Sequence, residues 1–188
     1  IHCTQMSNKE AKGLAQAGVT IGLCPITEAN LGDGIFNGKA WLKLGGKFGI
    51  GTDSNVSISL FGELKMLEYS QRLSQKSRLA MKMDEDLSIG RQLFEQILKG
   101  GAAAAGRESG LIQKGYLGDI LALDLSSMHY SHLKSDEKLN YLIFSETKNV
   151  IDSVFAAGRH VVKNGKHFRR KEICSAYKQA LLELSGRL

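Results

Sequence analysis

Two polar residues of complementary chemistry stand at the ends of short apolar runs: His2 in Ile1-His-Cys-Thr-Gln5 and Asp53 in Phe48-Gly-Ile-Gly-Thr-Asp-Ser-Asn55. A carboxylate can accept a proton or ligate a cation, and an imidazole orients or exchanges protons near neutral pH, so the pair suits hydrolysis by an activated water. Barrel enzymes of the α/β class place such groups just after strands. Glycines at 45, 46, 49 and 51 let the backbone around Asp53 pack closely or turn sharply. A plainer reading competes, in which Asp53 and Ser54 are the N-cap of the following helix. A single histidine is also compatible with a purely structural role, and what favours chemistry is that both residues sit at strand ends.

Between them runs Val19-Thr-Ile-Gly-Leu23, a third strand candidate, leading into Cys24-Pro-Ile-Thr-Glu-Ala-Asn-Leu-Gly-Asp-Gly34, which reads as a long polar loop. Loops on such frameworks carry function. Glu28, Asn30 and Asp33 within it either shape a pocket or hold the loop together by local hydrogen bonds. Ser7 and Glu10 have capping-box spacing for a helix after the first strand. Beyond Asp53, Leu60, Leu64 and Leu67, widened by Phe61 and Met66, predict a core-facing helix with a polar end from Gln71 to Arg78. A second helix starts near Asp86, carries Ile89, Leu93, Phe94, Ile97 and Leu98, and runs through Gly100-Gly101 into residues 102–105, small residues that would allow close approach to the barrel wall. From Gly115 the pattern becomes short strands around turns, at residues 115–124 and 154–167, and Ile173, Tyr177, Leu181 and Leu184 mark a terminal helix expected to dock on the main body.

Composition is that of a globular chain, 43% hydrophobic and 23% charged over 188 residues, with no apolar run approaching the ~18 residues of a membrane span. Three cysteines without CxxC spacing suggest neither a disulfide framework nor a zinc knuckle, and a reducing cytoplasm is the expected compartment. The net charge of +6 concentrates between Arg159 and Lys171, where Phe168 adds an aromatic ring. That segment matches no nucleic-acid recognition motif, so its charges read as a solvated hairpin and helix start. His129, His132, His160 and His167 lack companions at metal-ligand spacing and read as structural or surface residues.

The three strand-end segments together resemble the metal-dependent amidohydrolase superfamily. His2-Cys-Thr-Gln is similar to the end of that family's sixth barrel strand, residues 24–36 to its seventh strand and loop, and Gly49-Ile-Gly-Thr-Asp-Ser-Asn55 to its eighth. The Thr27-Glu-Ala-Asn-Leu-Gly-Asp-Gly34 loop is similar to the formimidoylglutamate deiminase branch in particular. The resemblance implies an α/β fold: the carboxyl-terminal part of a (β/α)8 TIM barrel, strands 6 to 8, over residues 1–112. Part of a flanking β-sandwich would occupy 113–170 and a carboxyl-terminal helix 171–188.

It further implies hydrolysis of N-formimidoyl-L-glutamate to N-formyl-L-glutamate and ammonia, as in histidine degradation, with a zinc ion activating the water. Asp53 would ligate the metal and move the proton, and His2 would orient the attacking oxygen. The remaining ligands, a His-x-His pair and a further histidine, and the catalytic glutamate and substrate-binding arginines belong to a missing amino-terminal half. Alone, this chain is expected to bind zinc weakly and to lack activity. The implied partners are a small-molecule substrate and that missing half, with neither nucleic acid nor membrane, and a homo-oligomer is compatible. Alternatives are an aminohydrolase of the guanine deaminase or chlorohydrolase type, an inactive remnant, or a basic interaction module.

Overall fold

The computed structural model describes residues 1–127, 129–145 and 150–187. Two compact units divide the chain: Ile1–Tyr116 with His132–Thr147, and Leu117–Ser131 with Lys148–Leu188.

In the first unit the order is α1 (Asn8–Gln16), β1 (Thr20–Leu23), α2 (Pro25–Leu31), α3 (Gly38–Lys43), β2 (Lys47–Ile50), α4 (Leu60–Gln75), α5 (Ile89–Ala105) and α6 (Ser135–Phe144). Helix α1 begins as its spacing predicts: the Ser7 side chain accepts the Glu10 amide while the Glu10 carboxylate accepts the Ser7 amide at 2.9 Å. Strands β1 and β2 pair in parallel, Ile21 beside Phe48 and Leu23 beside Ile50, and the crossover that parallel pairing requires carries α2 and α3. Ile21, Leu23 and Phe48 join Phe36, Trp41, Leu64, Leu67, Leu93 and Ile97 in one buried cluster. Trp41 has no exposed surface, and its indole N–H donates to the Lys47 carbonyl at 3.1 Å, satisfying its polar atom.

The glycine pair in α5 does what its position suggests. A Cβ on Gly100 would overlap the backbone of Phe48, and the backbones of Gly49 and Gly101 face each other closely, so α5 lies directly on β2.

Three expectations for this unit fail. Ile1–Gln5 is not a regular strand: the His2 amide donates to Gly22 O at 2.7 Å, extending the edge of β1 by one bond, but His2 and Cys3 adopt φ of 64° and 55° and leave the extended region. The segment from Cys24 to Gly34 is not an open loop either. Pro25 starts α2, where its missing N–H costs nothing, and Gly32 closes it at φ 74°, the left-handed conformation a C-cap favours. Its polar residues Thr27 and Glu28 are buried, which hides the helix from a hydrophobic-pattern reading.

The supposed polar end of α4 is likewise partly interior. Gln71 is buried, accepting the Gly38 amide at 3.1 Å and donating to the Phe36 carbonyl. One turn earlier the buried Glu68 carboxylate accepts the amides of Ala80 and Met81 at 2.8 and 3.0 Å. Buried side chains of α4 thus serve as hydrogen-bond partners for turns elsewhere in the chain, as interior polar groups must.

In the second unit β3 (Ile120–Leu123), β4 (Ile151–Ala156), β5 (Arg159–Lys163) and β6 (Lys166–His167) form an antiparallel sheet in that order. The turns at Ala157-Gly158 and Asn164-Gly165 hold consecutive positive φ values, 48° and 78°, then 50° and 68°, the type I′ signature of tight hairpins. In the basic segment His167 stacks on Phe168 and Arg169 pairs with Glu172, so part of that charge is matched locally. Helix α7 (Arg170–Ser185) forms, and within its own unit every position is exposed, Tyr177 by 65% and Leu182 by 60%. No helix of the described residues is long and apolar enough to cross a membrane.

Candidate active site

Where β1 and β2 end, three side chains from distant parts of the sequence meet. His2 places Nδ1 3.2 Å from Glu28 Oε1 and Nε2 3.6 Å from Asp53 Oδ2. The histidine and aspartate are open to solvent, with side chains 32% and 43% exposed, whereas Glu28 is buried.

Backbone geometry explains how Asp53 comes to face His2. The Gly51 amide donates to the Leu23 carbonyl at 2.9 Å, prolonging the β1–β2 pairing by one bond, and Asp53 then adopts φ 50°, a left-handed conformation that aspartate tolerates better than most residues. Asp53 is not an N-cap. That role at α4 belongs to Ser59, whose hydroxyl accepts the Gly62 amide at 3.1 Å.

Helix α2 fixes both arms. The Thr27 hydroxyl donates to the Thr52 carbonyl at 2.8 Å, immediately before Asp53, and Glu28 accepts the Cys24 amide at 2.8 Å with the same oxygen that faces His2. A buried carboxylate bonded to one ring nitrogen sets which tautomer a histidine presents at the other. Of the remaining segment residues, Asn30 is exposed on the last turn of α2. Asp33 works through its backbone, its carbonyl accepting Thr4 Oγ1 at 2.8 Å and Gln5 Nε2 at 2.6 Å. Asp33 thereby ties the segment to the stretch after His2.

Two residues that sequence reasoning passed over belong here. Thr27 carries no signal of its own. Glu63 carries one: it lies on the apolar stripe of Leu60, Leu64 and Leu67, where a carboxylate is out of place, and it is fully buried with Oε2 accepting the Ile26 amide at 2.8 Å. Burial pushes its pKa above the ordinary 4.5, with the Glu28 carboxylate adding to the effect against the Ile26 hydrogen bond. The Cys24 thiol is also pushed up, by burial first and then by Glu28, Asp53 and Glu63, which suits a packing residue and not a nucleophile.

Among the described residues no three His, Cys, Asp or Glu side chains converge into a group that holds a metal. Catalytic zinc takes about three protein ligands and leaves a position open. The exposed Asp53 carboxylate at a strand end, with an imidazole beside it, fits part of such a donor set.

An Amidohydrolase family model matches residues 1–161. Formimidoylglutamate deiminase from Pseudomonas aeruginosa is 39% identical over 184 residues, covering 98% of this chain and 41% of the deiminase. A crystal structure of an amidohydrolase from Brucella melitensis superposes with a TM-score of 0.90 at 43% identity, over 97% of this chain and 40% of the other. The atrazine chlorohydrolase TrzN from Arthrobacter aurescens TC1, complexed with zinc, shares the fold at TM-score 0.79 and 22% identity, over 96% and 39% of the two chains. The chain therefore spans about two fifths of the length of the relatives it matches. Matched over most of its length by the family's own sequence pattern and paired with relatives of one fold, it belongs to the amidohydrolase family.

Proposed function

We propose that the protein containing this chain is a zinc-dependent deiminase that hydrolyses N-formimidoyl-L-glutamate to N-formyl-L-glutamate and ammonia. The observation that carries the reading is the convergence of His2, Glu28 and Asp53 at the ends of two parallel strands, within a sequence 39% identical to a formimidoylglutamate deiminase. In this reading β1 and β2 are neighbouring strands of an eightfold barrel, and the other metal ligands and the substrate-binding groups lie in the part of the relatives that this chain does not span.

A bound zinc lowers the pKa of its water to about 7 and so makes a nucleophile available at neutral pH. Asp53 would hold the metal with one carboxylate oxygen. Its other oxygen would take one proton from the attacking water and deliver it to the imine nitrogen; the hydroxyl proton of the resulting tetrahedral adduct, passed on through the same carboxylate, completes the departing nitrogen as ammonia, while the former water oxygen stays on the formyl carbon as its carbonyl. With Nδ1–H donated to Glu28, His2 presents Nε2 as an acceptor. Nε2 and Asp53 Oδ2, 3.6 Å apart, then offer two acceptors to the two protons of one water and hold its oxygen in line with the imine carbon. Glu28 works by orienting that ring, and in the complete protein Glu28→Ala is expected to lower kcat on the order of 100-fold with little change in KM. Glu28→Gln, which keeps an acceptor for the Cys24 amide, should be milder, and steady-state kinetics of the two variants compare them directly.

Ammonia release by the complete protein tests the substrate. Turnover of N-formimidoyl-L-glutamate, abolished by chelation and restored by zinc, with none on guanine or a chlorotriazine, is the expected pattern. The shared fold with atrazine chlorohydrolase supports a second reading, hydrolysis of a ring substituent on a heterocycle, and preferential turnover of guanine or the triazine would establish it.

A further inference from the structure

Glu63, in the first turn of α4, has no exposed surface. Its Oε2 accepts the Ile26 amide at 2.8 Å, and Oε1 has no hydrogen-bond partner among the described residues. Ile26 follows Pro25 in the first turn of α2, and the N-cap of that helix, Cys24, offers no side-chain hydrogen bond. The acceptor that the start of α2 lacks in its own sequence therefore arrives from α4, across 37 positions. Next along α2 come Thr27, which holds the Thr52 carbonyl beside Asp53, and Glu28, which holds His2.

We infer that Glu63 is a positioning residue of the His2–Asp53 site, an uncharged carboxyl that pins the start of α2 and through it both arms of the site.

Position decides the first half of this. A shift of Ile26 carries Thr27 and Glu28 with it, so one anchor sets the separation of His2 from Asp53. Charge decides the second half. An ionised carboxylate in the interior needs a cation or several donors, and among the described residues this one has a single amide, a buried oxygen without a partner, and the Glu28 carboxylate and Cys24 thiol as its titratable neighbours. Protonation would remove the charge that such a place does not stabilise, and burial shifts the pKa of Glu63 in that direction. Ionised, it would also repel Glu28, whose carboxylate is needed by His2.

Three variants of the complete protein test the idea, and their kinetic readout rests on the proposed deiminase activity. Glu63→Gln keeps an acceptor for Ile26 without charge and should leave kcat within about 3-fold, whereas Glu63→Ala should lose on the order of 10–100-fold in kcat with KM nearly unchanged. Glu63→Asp, too short to reach Ile26, should resemble the alanine variant. Amide hydrogen exchange at Ile26 provides a readout independent of substrate: unchanged in Glu63→Gln and faster in Glu63→Ala. Carboxyl carbon NMR, with Glu63→Gln as the assignment control, should show the Glu63 signal at its protonated position at pH 7. Equal damage in the glutamine and alanine variants, or an ionised signal at pH 7, would overturn the uncharged role. Unchanged Ile26 exchange in Glu63→Ala would overturn the anchor. If the wild-type protein leaves N-formimidoyl-L-glutamate untouched, the substrate reading fails on its own, while exchange and NMR still decide the role of Glu63.

Discussion

Replacing Asp53 with asparagine in the complete protein is expected to lower kcat about 1,000- to 10,000-fold and to reduce bound zinc well below one equivalent, because in the proposed mechanism it would remove a metal ligand and the proton carrier together. Asparagine suits the test for two reasons. It matches the size of aspartate, and it tolerates the left-handed backbone, φ 50°, that this position requires. Folding should therefore persist, with thermal unfolding close to wild type, so the loss is chemical. The amide still hydrogen-bonds but neither carries the negative charge that holds a cation nor takes up a proton from water. Metal content and turnover are read on the same sample, and retention of both within about tenfold of wild type would remove Asp53 from the mechanism.

Neighbouring glycines in α5 should respond with opposite signs. Gly100→Ala drives a Cβ into the Phe48 carbonyl group, a backbone obstacle on β2 that no rotamer change relieves, and is expected to cost about 3 kcal/mol or more. At Gly101 a Cβ would meet nothing within 4 Å, so Gly101→Ala should stabilise by about 0.5–1 kcal/mol through the lower entropy of the unfolded chain and better helix propensity. Thermal or urea unfolding of the complete protein measures both. Equal effects at the two positions would mean that α5 does not rest on β2 through Gly100. The link to function is short, since Phe48 lies on the strand that delivers Asp53, and a displaced β2 would move that carboxylate away from His2.

Several of the predicted elements rest on signals that act over a few residues. Ser7 and Glu10 announce α1, the leucine spacing announces α4, the Gly100-Gly101 pair announces a close crossing, and Asn164-Gly165 announces a hairpin. Helix α2 escaped because its buried face includes Thr27 and Glu28 as well as Pro25, so apolar periodicity is missing from a segment of seven residues. Gln71 was misread for the same reason: a polar side chain reads as solvated until the carbonyl and amide it serves are known. For α7 the limit is of another kind. An apolar stripe is visible, but what covers a stripe is not written in it, and its residues stand exposed.

By itself the sequence determined which groups are available for chemistry, His2 and Asp53 after apolar runs, and which turns, caps and close backbone approaches the chain can make. Tertiary structure decided what those groups do to one another. His2 meets Glu28 across 26 positions, Thr27 meets Thr52 across 25, and Ile26 meets Glu63 across 37. The physical reason is that a cap or a periodic stripe is selected by neighbours within a turn or two, whereas a buried polar atom finds its partner only when packing brings remote backbone beside it.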